Sequence, residues 1–162
     1  MLQLQHIKRG EIIIDNIETI ELVIDDNVLY RYNDFYFKNH PRASVKPILK
    51  PFHPSINQWM IMQRQSMNAL KQKWKDFMVW FIDDCGYSNY GIDECVIQFT
   101  TYFKTKARHD ADNYCPKFIL DGLVLSGFIT DDDSKHLLSL ILKCDYDKEY
   151  PRTEIKVWVY RK

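Results

Sequence analysis

Apolar side chains recur at three- and four-residue spacing across residues 67–82, and this stripe constrains the fold more than any other feature. Its members are Met67, Leu70, Trp74, Phe77 and Phe81, with Met78 and Ile82 beside them. This spacing places the side chains on one face of a helix. We therefore predict a long amphipathic helix that starts between Asn57 and Ser66, ends at Asp84 and packs this face into the core, with Gly86 as its stop signal.

The residues before this helix are predicted to be β structure followed by an extended loop. Residues 19–24 and 28–32 are rich in β-branched, leucine and aromatic side chains, and they flank the turn sequence Asp25-Asp26-Asn27. This arrangement predicts a β-hairpin. Prolines recur through residues 41–54 without apolar periodicity, which indicates an extended loop.

Further strands are predicted after the long helix. Residues 95–103 alternate and carry β-branched and aromatic side chains, and residues 155–160 have the same residue types, so both segments are predicted to be strands. Residues 137–145 are ambiguous between helix and strand, because their apolar run has no clear period. If they form a strand, residues 145–152 close a terminal hairpin.

A short second helix is predicted after the strand at 95–103. Either Asp112 or Asn113 can cap a helix of roughly residues 114–125. Pro116 lies in the first turn, where proline is tolerated, and Gly127 suits the C-terminal end.

Acidic residues lie on both sides of this short helix. Asp110 and Asp112 precede it, and three consecutive aspartates follow it at 131–133. On an extended backbone residues i and i+2 project to the same side, so Asp110 and Asp112 can face one ion. Adjacent carboxylates repel one another, and a hard cation bound through oxygen is the usual way to neutralise them. We expect a magnesium site if the chain after Gly127 folds back toward the helix N-terminus; helix capping by Asp112 and solvated loop acids are the competing interpretations.

Lys117 lies near the N-terminus of the short helix. It is suited to contact a phosphate or to stabilise developing negative charge. A plain surface lysine is the structural alternative, and so is a helix ion pair with Asp121 one turn later. Asn113 can cap the helix or steady the acids by hydrogen bonding.

The charge distribution favours a polyanionic partner although the formal net charge is zero. Residues 1–34 are predominantly acidic, whereas residues 35–75 contain no acid and are rich in lysine and arginine, with His40 and His53 adding to the run. Such asymmetry is typical of a nucleic-acid-binding surface, and a solvated basic face is the alternative. The candidate DNA-binding residues are Arg42, Lys46, Lys50, Arg64, Lys71, Lys73, Lys75, Lys104, Lys106 and Arg108.

The cysteine pattern and the hydropathy exclude several other classes. Cys85, Cys95, Cys115 and Cys144 are widely spaced and form no C-x-x-C pair, so a zinc site or redox dithiol is not expected. The sequence contains no run of about 18 apolar residues, so a membrane span is not expected. The N-terminus lacks a signal-peptide pattern. We expect reduced thiols and a cytoplasmic location.

One ordered set of residues resembles a known family. In chain order the set is Asp110, Asp112, Asn113, Lys117, Leu120-Asp121-Gly122-Leu123, Gly127-Phe128 and Asp131-Asp132. It resembles the RusA family of Holliday junction resolvases, which are crossover-junction endodeoxyribonucleases often carried by phages and prophages. The resemblance covers roughly residues 51–162, and Pro54-Ser55-Ile56-Asn57 looks like the family's early Pro-Ser-x-Asn segment. This chain has three residues between Asn113 and Lys117, where the family has two.

The resemblance implies an α+β fold, with a small mixed sheet and two main helices: the long amphipathic helix and the short helix after the Asp-x-Asp-Asn motif. It implies a homodimer that uses Mg²⁺, with Mn²⁺ as an alternative ion, to hydrolyse phosphodiesters in a four-way DNA junction. Asp110, Asp112 and Asp132 match the family's metal-binding and catalytic aspartates, and Lys117 matches its essential lysine. Asp132 is favoured over Asp131 and Asp133 because its separation from Asp121 along the sequence matches the family pattern.

The implied nuclease domain is residues 47–162, and residues 1–46 are interpreted as an added acidic β extension of unknown role.

Two other functions remain open. One is a branched-DNA-binding or regulatory module that keeps the fold without turnover, and the other is a nuclease that prefers flaps or replication forks. No membrane partner is expected.

Overall fold

The computed structural model describes residues 17–160. In chain order the elements are β1 (Glu18–Asp25), α1 (Asp26–Asn39), α2 (Ile56–Trp59), α3 (Arg64–Asp84), β2 (Glu94–Phe103), a 3-10 helix (Ala111–Tyr114), α4 (Lys117–Leu125), β3 (Leu137–Tyr146) and β4 (Arg152–Tyr160).

The four strands form one mixed sheet in the order β1-β4-β2-β3. β4 is antiparallel to both of its neighbours, whereas β2 and β3 are parallel. Alternate residues of β4, namely Ile155, Val157 and Val159, are buried against the helices, as expected when one face of a sheet packs on a core. The predicted α+β class with a small mixed sheet is confirmed.

The long amphipathic helix is also confirmed. α3 begins inside the predicted window and ends at Asp84, just before Gly86. Trp74, Phe77, Met78, Phe81 and Ile82 of the predicted stripe are buried, while Met67 and Leu70 are partly buried against the same core. The apolar spacing therefore identified the face that covers the sheet.

The predicted N-terminal hairpin is wrong in its second half. The first strand is present as β1, but residues 28–32 lie in helix α1. Asp25 Oδ1 accepts a hydrogen bond from Val28 N at 2.8 Å, so the Asp25-Asp26-Asn27 sequence caps a helix instead of closing a turn. Tyr32 then packs its ring 5.0 Å from that of Phe77 on α3.

The predicted boundary at residue 46 does not separate two cores. β1 pairs with β4 along its whole length, and the buried residues of β1 and α1 belong to the same apolar cluster as those of α3 and α4. β1 and α1 of the predicted extension thus belong to the same core as the rest of the domain, and residues 1–16 lie outside the described residues.

The predicted terminal hairpin is wrong, although residues 137–146 do form a strand. β3 and β4 are not neighbours, because β2 lies between them. The connection crosses the end of β2, where Asp147 N donates to Phe103 O at 2.9 Å, and Arg152 Nη1 donates to Asp147 Oδ2 at 2.9 Å. β4 thereby gains a central position that suits its buried face, while β3 stays at the edge.

Residues 41–54 contain no helix or strand, as predicted for an extended loop. The loop is tied to the sheet where Thr153 Oγ1 donates to Pro51 O at 2.6 Å. Ile48 and His53 are buried, so this loop forms part of the protein interior.

Candidate functional site

The segment before α4 differs from the predicted helix start. Residues 111–114 form a 3-10 helix, and α4 begins only at Lys117, with Pro116 as its N-cap residue. Cys115 takes an extended conformation with ψ 120°, because the residue before a proline avoids the helical region. Pro116 therefore divides the predicted helix into two pieces.

Contacts on both sides hold the 3-10 helix in place. The His109 ring stacks on Phe103 at the end of β2, with centroids 3.6 Å apart, and His109 Nδ1 lies 3.2 Å from Tyr114 Oη. Asn113 Oδ1 accepts a hydrogen bond from Asn57 N of α2 at 3.2 Å. Asn113 therefore links two elements, a role different from the predicted cap.

Asp110 and Asp112 lie at the start of this 3-10 helix. Asp110 is 61% exposed and forms an ion pair with Arg108, with Arg108 Nε 3.2 Å from Asp110 Oδ1. Asp112 is exposed in the first turn. Among residues 17–160, no ion pair to the Asp112 carboxylate is present, so this group is available to a cation.

The chain after α4 folds back, as the predicted site requires. Gly127 has φ +70°, a left-handed conformation that glycine adopts without strain. Beyond it the chain pairs with residues 91–92: Ile92 N donates to Phe128 O, and Thr130 N donates to Ile92 O, both at 2.9 Å. These hydrogen bonds fix the position of the chain just before the three aspartates at 131–133.

The fold-back brings Asp132 to Lys117. Lys117 Nζ lies 3.0 Å from Asp132 Oδ2, although the two residues are fifteen positions apart. Lys117 Nζ also lies 2.9 Å from Asp121 Oδ1, and Lys71 Nζ of α3 lies 2.8 Å from Asp121 Oδ2. Four side chains thus form a chain of alternating charge in the order Lys71, Asp121, Lys117 and Asp132.

These contacts shift the pKa values of the central pair. Asp121 raises the pKa of Lys117, partial burial opposes this, and Asp132 adds to the rise, so the pKa lies above its ordinary value. Partial burial acts to raise the pKa of Asp121, but the ammonium groups of Lys71 and Lys117 outweigh it and hold that pKa below its ordinary value. Both groups are therefore charged at neutral pH.

The three predicted metal ligands are not gathered around one point. Among the described residues, the three acidic or histidine ligand atoms that lie within 4.8 Å of one another belong to Asp131, Asp133 and His136. Asp132 instead contacts Lys117, and Asp110 contacts Arg108. The donor chemistry of Asp110, Asp112 and Asp132 still fits a hard cation, because all three offer carboxylate oxygens and Asp132 already accepts a hydrogen bond from the Lys117 ammonium group.

Sequence reasoning missed His136 and its neighbours. His136 Nδ1 lies 2.6 Å from Asp133 Oδ1, and His136 Nε2 lies 3.5 Å from Asp93 Oδ1. The hydrogen bond from His136 and those from the backbone hold the pKa of Asp133 below its ordinary value. The three-residue spacing of Asp133 and His136 was the available signal, but Asp93 is close only through the fold.

His53 was counted with the basic run, and this is wrong. The side chain is buried, and burial lowers its pKa to about 4, so it is neutral at neutral pH. Its Nε2 accepts a hydrogen bond from Phe118 N at 3.0 Å, and its Nδ1 lies 2.7 Å from Pro54 O. His53 therefore satisfies a backbone donor in the first turn of α4, next to Lys117.

The predicted DNA-binding residues divide into paired and exposed groups. Lys71 and Arg108 are in ion pairs with Asp121 and Asp110, and Lys106 Nζ lies 5.2 Å from the Tyr146 ring centroid. Lys75 is half-buried. Lys106 and Arg108 are exposed as well, and the exposed residues without such contacts in the described part of the chain are Arg42, Lys46, Lys50, Arg64, Lys73 and Lys104.

Comparison with known proteins adds no assignment. No protein-family model matches this chain, and no curated protein matches it either. Within residues 17–160, every helix is too short or too polar to cross a membrane.

Proposed function

We propose that this protein is a Mg²⁺-dependent, structure-selective DNA endonuclease that resolves Holliday junctions by phosphodiester hydrolysis, as the RusA family does. The observation that carries the proposal is the contact between Lys117 and Asp132 at 3.0 Å. The family pattern requires these residues in one site, and a fold-back of the chain after α4 was the condition for their meeting.

The start of α4 also supports this assignment. Lys117 is the first residue of α4, and Cys115 and Pro116 lie before the helix. The additional residue between Asn113 and Lys117 is therefore accommodated outside α4, and it does not rotate the lysine around a regular helix.

The proposed roles follow from the donor groups. Asp110, Asp112 and Asp132 would hold the ion, which when bound neutralises phosphate charge and polarises the reacting oxygen. To hold it together, Asp110 would leave its ion pair with Arg108 and Asp132 its hydrogen bond with Lys117. Lys117, released from one carboxylate, is then placed to neutralise charge on the phosphodiester.

The exposed basic residues are proposed to contact the DNA backbone. Arg42, Lys46 and Lys50 lie in the loop before α2, Arg64 and Lys73 on α3, and Lys104 after β2. Contacts of this kind position a duplex without reading its sequence. We further propose a homodimer acting in the cytoplasm, since two symmetric cuts are needed to resolve a four-way junction.

Cleavage of a labelled synthetic four-way junction tests the proposal. The parent protein is expected to cut with Mg²⁺ and to stop in EDTA. Asp112→Asn is expected to lower the rate by at least ~100-fold, because removal of a charged catalytic group costs several kcal/mol. The matched control is Asp34→Asn, an exposed acid of α1, which should cut at the parental rate. An active Asp112→Asn protein, or a parent that cuts no junction, would disprove the assignment.

The carboxylates of Asp110, Asp112 and Asp132 are not gathered around one point, and this favours a second candidate: a branched-DNA-binding or regulatory protein without turnover. In that case, junction binding would persist in EDTA and no cleavage would follow the addition of Mg²⁺ or Mn²⁺. Cleavage rates on flaps and replication forks, compared with the rate on the four-way junction, distinguish a junction resolvase from a nuclease that prefers another branched DNA.

A further inference from the structure

Asp121 is placed between two lysines that come from different helices. Its side chain is 15% exposed, and its two oxygens face Lys117 of α4 and Lys71 of α3 at 2.9 and 2.8 Å. A carboxylate this well covered requires compensating positive charge. Asp121 thus has two cationic partners, and one of them is the lysine that contacts Asp132.

Close packing of α3 against α4 makes the Lys71 contact possible. A Cβ atom at Gly122 would lie 2.4 Å from Met78 Cβ, which is closer than real atoms approach. Glycine at this position lets the two helices meet closely, so that Lys71 reaches across to Asp121. The Lys71 side chain is 39% exposed but paired with Asp121, and in this it differs from the basic residues proposed to contact DNA, which are unpaired within residues 17–160.

The arrangement leaves Lys117 with capacity for one more partner. An ammonium group has three N–H donors; one donates to Asp132, and Asp121 holds the group in an ion pair at 2.9 Å. Lys117 is 48% exposed, so its remaining donor can reach a phosphate oxygen. A long lysine side chain without such contacts samples many rotamers and loses that orientation.

We propose that Asp121 and Lys71 are positioning residues, which keep the Lys117 ammonium group in place when Asp132 turns to the ion and direct its free N–H toward the phosphodiester. This inference rests on the proposed phosphate contact of Lys117. Asp121 orients Lys117 directly, and Lys71 fixes Asp121 and balances its charge. Neither residue contacts the substrate.

The position of Lys117 can be tested without cleavage. Ammonium groups held in ion pairs exchange slowly enough with water to give ¹H–¹⁵N signals at low temperature. The Lys117 signal is expected in the parent and in Asp34→Asn, which breaks the comparable Lys38–Asp34 pair. It should weaken and shift in Asp121→Asn, because only the pair with Asp132 then remains. A Lys117 signal that is unchanged in Asp121→Asn overturns the inference whether or not the protein cuts DNA.

A double-mutant cycle tests the catalytic consequence. Asp121→Asn is expected to lower kcat by about 10- to 100-fold with KM nearly unchanged, because misplacement of a catalytic group is costly. In a Lys117→Met background the same change should have no further effect, since Asp121 acts through Lys117. An independent loss in that background would assign Asp121 a different role and contradict the inference.

Lys71 provides a second variant if Asp121→Asn does not fold. Lys71→Met should lower kcat, and Lys71→Arg, which keeps the charge, should restore most of it. An increase in KM alone for Lys71→Met would mean that Lys71 binds the DNA backbone and would overturn its positioning role. If the parent cuts no DNA, the proposed function fails, while the Lys117 signal still decides the geometric claim.

Discussion

Single residues of this chain have roles that residue type alone does not reveal. His53 lies in a basic run, yet its ring is buried and neutral, and it accepts the Phe118 N–H in the first turn of α4. Lys71 lies in the same run and pairs with Asp121. The sequence shows the charge of each residue, but the contacts that neutralise it come from segments distant in the chain.

Stability should depend on pH through His53. Its pKa falls from 6.5 to about 4 in the folded protein, so the unfolded chain binds the extra proton. The contribution of neutral His53 to the free energy of unfolding is complete above pH 6.5 and is lost as the pH falls toward 4. The loss amounts to about 2–3 kcal/mol by pH 4.5.

Urea unfolding at pH 7.5 and 4.5 measures this effect. His53→Gln keeps an acceptor for Phe118 N without titrating, so its free energy of unfolding should fall less between the two pH values. His40→Gln, at an exposed histidine, should retain the parental pH dependence. Equal losses in the parent and in His53→Gln would exclude His53 as the cause.

At the scale of elements, periodicity was a better guide than residue type. The three- and four-residue spacing predicted α3, including its buried face and its end at Asp84. β-branched and aromatic content predicted β2 and β4, but it failed at residues 28–32, which are helical because Asp25 caps α1 and Tyr32 packs on Phe77. Tertiary packing decides such short apolar runs.

The contact between α3 and α4 should be sensitive to one methyl group. Gly122→Ala places a Cβ atom 2.4 Å from Met78 Cβ, and the helices must separate to admit it. Overpacking of this kind costs about 1–3 kcal/mol, and the better helix propensity of alanine returns at most about 1 kcal/mol. Thermal unfolding should show a lower Tm.

Leu125→Ala is the control for this substitution, because Leu125 lies on α4 and is 55% exposed. Its Tm should differ little from that of the parent. A Tm for Gly122→Ala at or above the parental value would mean that the helices do not pack as closely as described.

At the scale of the whole molecule, the sequence predicted the fold class but not the strand order. β3 and β4 are consecutive and extended, which suggests a hairpin, yet β2 lies between them. The pairing of β1 with β4 was also not predictable, because it joins the two ends of the described chain. Long-range pairing leaves little local signal, since it depends on which faces share one core.

The candidate site was predicted in part for the same reason. The fold-back that joins Asp132 to Lys117 depends on Gly127, a residue visible in the sequence as a helix stop. The ion pairs of Asp121 with Lys71 and of Asp110 with Arg108 depend on side-chain packing. The candidate residues could be named from the sequence and their role stays a prediction, whereas the ion pairs with Lys71 and Arg108 could not be foreseen.

Anomalous difference density, measured near the manganese edge from a crystal soaked in Mn²⁺, tests whether the three aspartates bind one ion. We predict one peak in contact with carboxylate oxygens of Asp110, Asp112 and Asp132, at about 2.0–2.2 Å as for a comparable hard cation, with Asp132 turned from Lys117 toward the ion. A peak confined to Asp131, Asp133 and His136, or none at the three predicted aspartates, would contradict it.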